Sequence, residues 1–353
     1  MAITYHAGRR IQSTQADFDG TPAVSGGWKE LGRTTWSSGN SFTVSNIPDK
    51  RYLMVLNYTD SASNYNNIMR FNSDTGLNYA WRRSLNGESP DGTTKINTNS
   101  IAMNGVGYDD FGFSVNYIAN LSGKEKLVIN HACDTGGVGS SADPDRQEVA
   151  GKWIGTDSID EITVTTSSAN YNLGETVVLG WDPADTHTSN FWEELANVEL
   201  TSTNTVLDSG TFTAKKYLWI QLFAKANTSL TSIGGRYNGG TGGTDYANRY
   251  SDNGGTPDGT NTLQPIHTWT LGGDLASGET QFTNVFVINN TSNEKLSICH
   301  TVEKGTSGTA PTRRETVGKW ANTTDQITQV QLIRTNTTGD FASGSFIKVW
   351  GSN

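Results

Sequence analysis

Cysteine is almost missing from this 353-residue chain: Cys133 and Cys299 are the only two. A disulfide framework is therefore excluded, and two free, buried thiols are the expected state. Histidine is nearly as sparse, five in all, which leaves few combinations for an imidazole-based metal set. Only 17% of residues are charged, no long amphipathic helical period appears, and no apolar run is long enough to span a bilayer. The basic excess that a phosphate-backbone binder needs is also lacking, since the net charge is −9. Neither direct nucleic-acid binding nor a membrane partner is expected. Residues 1–10 have no apolar core of the kind a signal peptide needs, which sets the expectation of synthesis in a cytoplasm.

What is abundant points to strands. Thirty-nine glycines, frequent Ser, Thr and Asn, and a 10% aromatic content suit many short strands joined by tight turns. The chain also repeats itself. Pro144-Asp-Arg-Gln-Glu-Val-Ala-Gly-Lys-Trp153 returns as Pro311-Thr-Arg-Arg-Glu-Thr-Val-Gly-Lys-Trp320, an offset of 319 − 152 = 167 residues. Trp28-Lys-Glu-Leu31 returns as Trp192-Glu-Glu-Leu195, Pro90-Asp-Gly-Thr93 as Pro257-Asp-Gly-Thr260, and Glu125-Lys-Leu as Glu294-Lys-Leu. The reading is all-β: two tandem homologous antiparallel β-sandwich domains, jelly-roll-like, with roughly eight to ten strands each. An N-terminal arm covers residues 1–27, the first repeat 28–181, a polar linker 182–191 and the second repeat 192–353. Residues 50–58 and 215–223, rich in aromatic and β-branched side chains, are the candidate central strands.

Within the proline-to-tryptophan stretch, alternation puts Arg146, Glu148 and Lys152 on one face and Val149, Gly151 and Trp153 on the other. The expectation is a charged sheet exterior, shared by Arg313 and Glu315, backing a buried tryptophan. A Gly-Lys phosphate loop is excluded because the spaced glycines and the following Ser or Thr are missing.

The search for chemistry assigns no catalytic, cofactor-binding or metal-binding residue. His131 and His300 fall at matching positions, but no repeated cysteine or second histidine completes a metal set. Glu148 and Glu315 repeat, as do Glu125 and Glu294; each alternates with or adjoins a cation, the pattern of cross-strand salt bridges rather than of a glycosidase pair. His187 with Asp182 and Asp185, the glycine run at 239–243, and Asp74, Asp91 and Asp258 all read as loop or turn polarity. Tyr79 and Tyr246 repeat in register and read as core; Trp81 is a candidate sugar-stacking ring. No nucleophile elbow is present, so the protein is not expected to be an enzyme.

The opening Tyr5-His-Ala-Gly-Arg-Arg-Ile11, the Arg-aromatic-Asn motif at Arg70 and Arg236, the following Tyr-Ala, the Gly-Lys-Trp strand and the Gly-Ser-x-Ile-x-Val-Trp-Gly ending together resemble a family of marine virus and phage structural proteins with tandem jelly-roll-like repeats. The resemblance covers almost the whole chain. It implies a virion component, synthesised in the host cytoplasm: capsid, decoration, spike or tail fibre. It further implies a symmetric homo-oligomer, a trimer by preference, with the arm contacting other virion proteins. The alternative is a lectin-like protein that binds host surface glycans or a receptor through paired domains.

Overall fold

A computed structural model describes residues 27–353 apart from 62–64, 89–91, 107–110, 167–169, 184, 186–189, 231–232, 241–242, 270–274, 304–309 and 335–338. Residues 1–26 of the N-terminal arm and His187 lie outside the described residues. Those residues are all-β, in antiparallel sheets.

Twelve strands come from the first part of the chain: β1 (Lys29–Trp36), β2 (Ser41–Ser45), β3 (Tyr52–Ser61), β4 (Tyr65–Phe71), β5 (Tyr79–Leu85), β6 (Thr93–Thr98), β7 (Ile101–Val106), β8 (Phe111–Ala119), β9 (Lys126–Asp134), β10 (Asp145–Trp153), β11 (Glu161–Thr166) and β12 (Tyr171–Trp181). They form an eight-stranded sheet in the order β1-β12-β3-β8-β9-β10-β5-β6 and a four-stranded sheet, β2-β11-β4-β7. The second part supplies β13 (Glu193–Glu199), β14 (Val206–Asp208), β15 (Tyr217–Lys225), β16 (Ile233–Tyr237), β17 (Tyr246–Asp252), β18 (Gly259–Gln264), β19 (Thr280–Ile288), β20 (Lys295–Glu303), β21 (Thr312–Trp320), β22 (Val330–Arg334) and β23 (Phe346–Ser352). Their order is β13-β23-β15-β19-β20-β21-β17-β18 in an eight-stranded sheet, with β14-β22-β16 beside it. Position for position, both large sheets have the same strand order. Among the described residues the strand count exceeds the expected eight to ten per part, because short edge strands such as β2 and β6 carry little apolar signal.

The layers stack as small sheet, large sheet, large sheet, small sheet. One core lies between the first small and large sheets (Leu53, Val55, Met69, Phe71, Val149, Trp153, Val164). Its equivalent in the second part holds Leu218, Ile220, Leu222, Tyr246 and Trp320. A third core lies between the two large sheets and joins Met54, Leu56, Tyr58 and Phe113 to Tyr217, Phe286, Leu296 and Ile298. This arrangement explains β3, where Leu53 and Val55 point into one core while Met54 and Leu56 point into another. A strand buried on both faces reads as an unbroken apolar run rather than an alternating one. β3 and β15 are interior strands of their sheets, as the composition of residues 50–58 and 215–223 predicts.

The repeated glycine of the Gly-Lys-Trp strand has a steric reason. A Cβ on Gly151 would stand 2.9 Å from Ile101, and one on Gly318 would stand 2.5 Å from the ring of His267. In each part a side chain from the facing layer lies directly on the glycine.

Candidate functional site

Trp153 and Trp320 are buried, 4% and 6% exposed, and the Trp153 indole N–H donates to Asp74 at 2.7 Å. Tyr79 and Tyr246 are core residues whose hydroxyls accept the backbone N–H of Phe71 and Tyr237. The expectation for the opposite face needs correction. Arg146 is 5% exposed rather than on an exterior, because that end of β10 faces the second large sheet. Lys152, at the other end of the strand, is exposed and pairs with Glu125 at 3.3 Å, as expected. Alternation identifies which side chains share a face; whether another layer covers that face is a separate fact.

Around Arg146 the two parts of the chain meet through their repeated residues. Glu148 lies opposite His131 in the β9–β10 ladder, and Glu315 opposite His300 in the β20–β21 ladder. The imidazole rings meet edge to face, with centroids 4.4 Å apart at 70°. The Arg146 guanidinium bonds Asp258 through Nε and Nη2 at 2.8 and 2.9 Å, and its Nη1 lies 3.0 Å from Glu148 and 3.4 Å from Glu315. Arg313 holds the other oxygen of Glu315 at 2.6 Å. Asp258, read in the sequence as turn polarity, has a fully buried side chain in this contact.

The electrostatics follow from that crowding. Burial pushes the Glu148 carboxyl up, but the His131 ring and the Arg146 guanidinium outweigh it and hold the carboxyl at about 2. Glu315 goes the other way, raised by burial and then by the charge of Glu148. Burial, reinforced by His131, lowers His300 to about 4. A cavity of about 10 Å³, lined by both histidines, both glutamates and Arg146, lies at the centre, room for one water-sized occupant. Each carboxylate is engaged by a guanidinium, so neither stands as a free acid or base.

A second feature lies farther along β9. His131 and Cys133 are at the covered end of the strand, whereas Leu127 and Ile129, on the same face, are 58% and 56% exposed. With Trp28, Tyr52, Tyr117 and Trp181 they line an apolar groove of about 470 Å³, and none of its lining residues is charged. The Tyr52 and Trp181 rings stack with centroids 5.4 Å apart. At the corresponding positions of the second sheet, Leu296, Ile298 and Tyr217 are at most 3% exposed. The residues after β9 close over that region, with Lys319 donating to the carbonyls of Thr135 and Gly137, and Gly139 N–H donating to Glu294. Trp81 borders an adjoining groove with Ile96 and Lys152.

Cys133 and Cys299 are buried free thiols. Asp91 lies outside the described residues, as does part of the 239–243 glycine run. Sequence reasoning weighed the repeated His and Glu pairs separately; the signal that linked them was their shared register, two residues of one hairpin recurring together at the same offset. No protein-family model and no curated protein matches the sequence. Among solved structures, mouse laminin alpha1 chain domains LG4-5 align over 93% of this chain and 91% of theirs, with 11% identity and a TM-score of 0.19. Pseudomonas aeruginosa OpdQ aligns over 85% of this chain and 97% of its own, with 9% identity and a TM-score of 0.13. Similarities at this level say nothing about the fold or role of the chain.

Proposed function

We propose that the chain is a non-enzymatic structural protein, two tandem copies of one β-sandwich stacked face to face, that assembles into a symmetric oligomer through the apolar face left open on the first copy. The observation that carries this reading is the contrast between Leu127 and Ile129, exposed, and Leu296 and Ile298, buried at the same positions. The open groove is continuous with the core between the large sheets, since Trp28 and Tyr117 pack against that core and also line the groove. An uncharged apolar patch of this kind is what an interface core consists of.

The occupant is a second copy of the chain. Patch against patch, related by a twofold axis, the contact is self-complementary and brings no like charges together despite the net charge of −9. A threefold assembly would bring a different surface onto this face. The resemblance to virus and phage structural proteins supports a place for the oligomer in a virion, as a capsid, decoration or fibre component. The arm before the first strand would then contact neighbouring virion proteins.

Sedimentation velocity over a concentration series tests the reading. The wild-type chain should self-associate, and Leu127→Asp with Ile129→Asp should yield a folded monomer. A wild-type monomer at all concentrations, or a variant that associates equally well, would overturn it. The Tyr52–Trp181 stack in the groove wall favours a second reading, sugar stacking by a lectin-like protein, although no charged or amide side chain lines the groove to bond ring hydroxyls. Glycan-array binding that disappears in Trp181→Ala would favour it.

A further inference from the structure

The cluster at the seam between the large sheets contains more than salt bridges. His131, Glu148 and His300 each offer one donor atom, and these atoms lie within 4.8 Å of one another. The donors come from β9, β10 and β20, and so from both parts of the chain. We propose that His131, Glu148 and His300 bind a divalent transition ion of the Zn²⁺ class, which ties the first large sheet to the second.

Three features support the assignment. Bonds of about 2.0–2.2 Å to a tetrahedral ion need donors roughly 3.3 Å apart, so small side-chain rotations of these three residues close the site. The Nδ1 atom of His131 is buried with no hydrogen-bond partner, and Glu148 Oε1, at 3.6 Å, is too far to supply one. A buried imidazole nitrogen left in that state is costly, and an ion would satisfy it. The surrounding charge favours a cation, because the carboxylates of Glu148, Glu315 and Asp258 face the guanidiniums of Arg146 and Arg313, leaving one net negative charge.

Arg146 does not block the site. Its Nε and Nη2 are committed to Asp258, and only Nη1 reaches Glu148. A carboxylate has two oxygens and can serve a guanidinium and an ion together. Glu315, which lines the same cavity, is placed to accept a hydrogen bond from a water in the fourth ligand position. Two imidazoles and one carboxylate suit Zn²⁺ or Co²⁺; Ca²⁺ and Mg²⁺ require six or more ligands, chiefly oxygen.

The test uses the full chain stripped with a chelator. Titration calorimetry at neutral pH should show one Zn²⁺ bound per chain, and melting should rise with Zn²⁺ but not with Ca²⁺. Co²⁺ should give d–d absorption without thiolate charge-transfer bands. His131→Gln, His300→Gln and Glu148→Gln should each weaken Zn²⁺ binding tenfold or more while keeping the far-ultraviolet circular dichroism of the wild type in chelator. The proposal is overturned if the wild-type chain takes up no stoichiometric Zn²⁺, if Co²⁺ reports thiolate ligation, or if a folded His300→Gln chain binds as well as wild type. The first two readouts need no variant, so a substitution that fails to fold leaves the test decisive.

Discussion

Arg146 and Asp258, 112 residues apart, form a two-pronged charged hydrogen bond between the two parts of the chain, with side chains 5% and 0% exposed. Such a fork fixes register as well as attraction, because both oxygens must meet both N–H groups. It also holds Arg146 where its remaining nitrogen reaches Glu148 and Glu315. The counterpart arginine, Arg313, is exposed and has no comparable role, so one member of a repeated pair became a buried tie while the other stayed in solvent.

The first prediction concerns that tie. Arg146→Met alone leaves Asp258 buried without its cation and should destabilise the chain by about 3–5 kcal/mol. Pairing it with Asp258→Leu should recover part of the loss, since Asp258 then no longer stands uncompensated, while Glu148 still lacks its guanidinium. Urea unfolding of the two single variants and the double variant measures this. Simple additivity of the two losses would contradict it.

The buried indoles give the second. Trp153→Ala and Trp320→Ala should each destabilise by about 3–5 kcal/mol, the range for truncating a large buried aromatic side chain. Calorimetric melting checks both, and an unchanged melting temperature in either would rule out the core role assigned to that ring.

These tryptophans were legible in the sequence because period-two alternation and an in-register repeat agree on them. Tyr79 and Tyr246 were legible for the same reason. Arg146 was misplaced because alternation is silent about what covers a face; the docking of one large sheet on the other decides that. The unbroken run from Leu53 to Leu56 was the available clue, since only a strand covered on both sides tolerates it. The meeting of His131 with His300 was hidden for a related reason: matching positions in two copies indicate a common fold, not that the copies face each other across the same point. Leu127 and Leu296 share their place in the repeat, so their different exposure arises wholly from packing between the copies.

A third prediction follows from two histidines, His267 fully buried and His300 half-buried. Burial holds His267 at about 3 and His300 at about 4, so both stay neutral in the folded chain when the unfolded chain begins to protonate near pH 6.5. Below that pH the unfolded state binds more protons, and stability falls as pH drops from about 6.5 toward 4. Glu303, pushed up to about 7 by burial, acts in the opposite direction over part of this window, because its unfolded form releases a proton first as pH rises. Glu315, raised by burial and by the charge of Glu148, adds to Glu303. In chelator, lowering the pH from 7 to 5 should destabilise His300→Gln less, and Glu303→Gln more, than it does the wild-type chain. A profile unaffected by either substitution would contradict this.

Lys152 and Lys319 occupy the same place in the repeat, and the last prediction is that they differ sharply in weight. Lys152 is about half exposed and meets Glu125 at 3.3 Å, a surface pair of a kind worth about 0–1 kcal/mol. Lys319 is fully buried and donates to the carbonyls of Thr135 and Gly137 at 2.7 and 2.6 Å, with Glu294 at 3.4 Å. Those carbonyls belong to the first part of the chain, so this ammonium helps fasten one large sheet to the other. Replacing it by methionine keeps most of the volume but leaves a buried and a half-buried carbonyl without this donor and a buried carboxylate without this cation. Lys319→Met should therefore cost about 3 kcal/mol or more, and Lys152→Met about 1 kcal/mol at most. Urea unfolding at pH 7 measures both. Equal losses at the two positions would mean that the contact from Lys319 to the 135–137 segment contributes nothing to holding the sheets together.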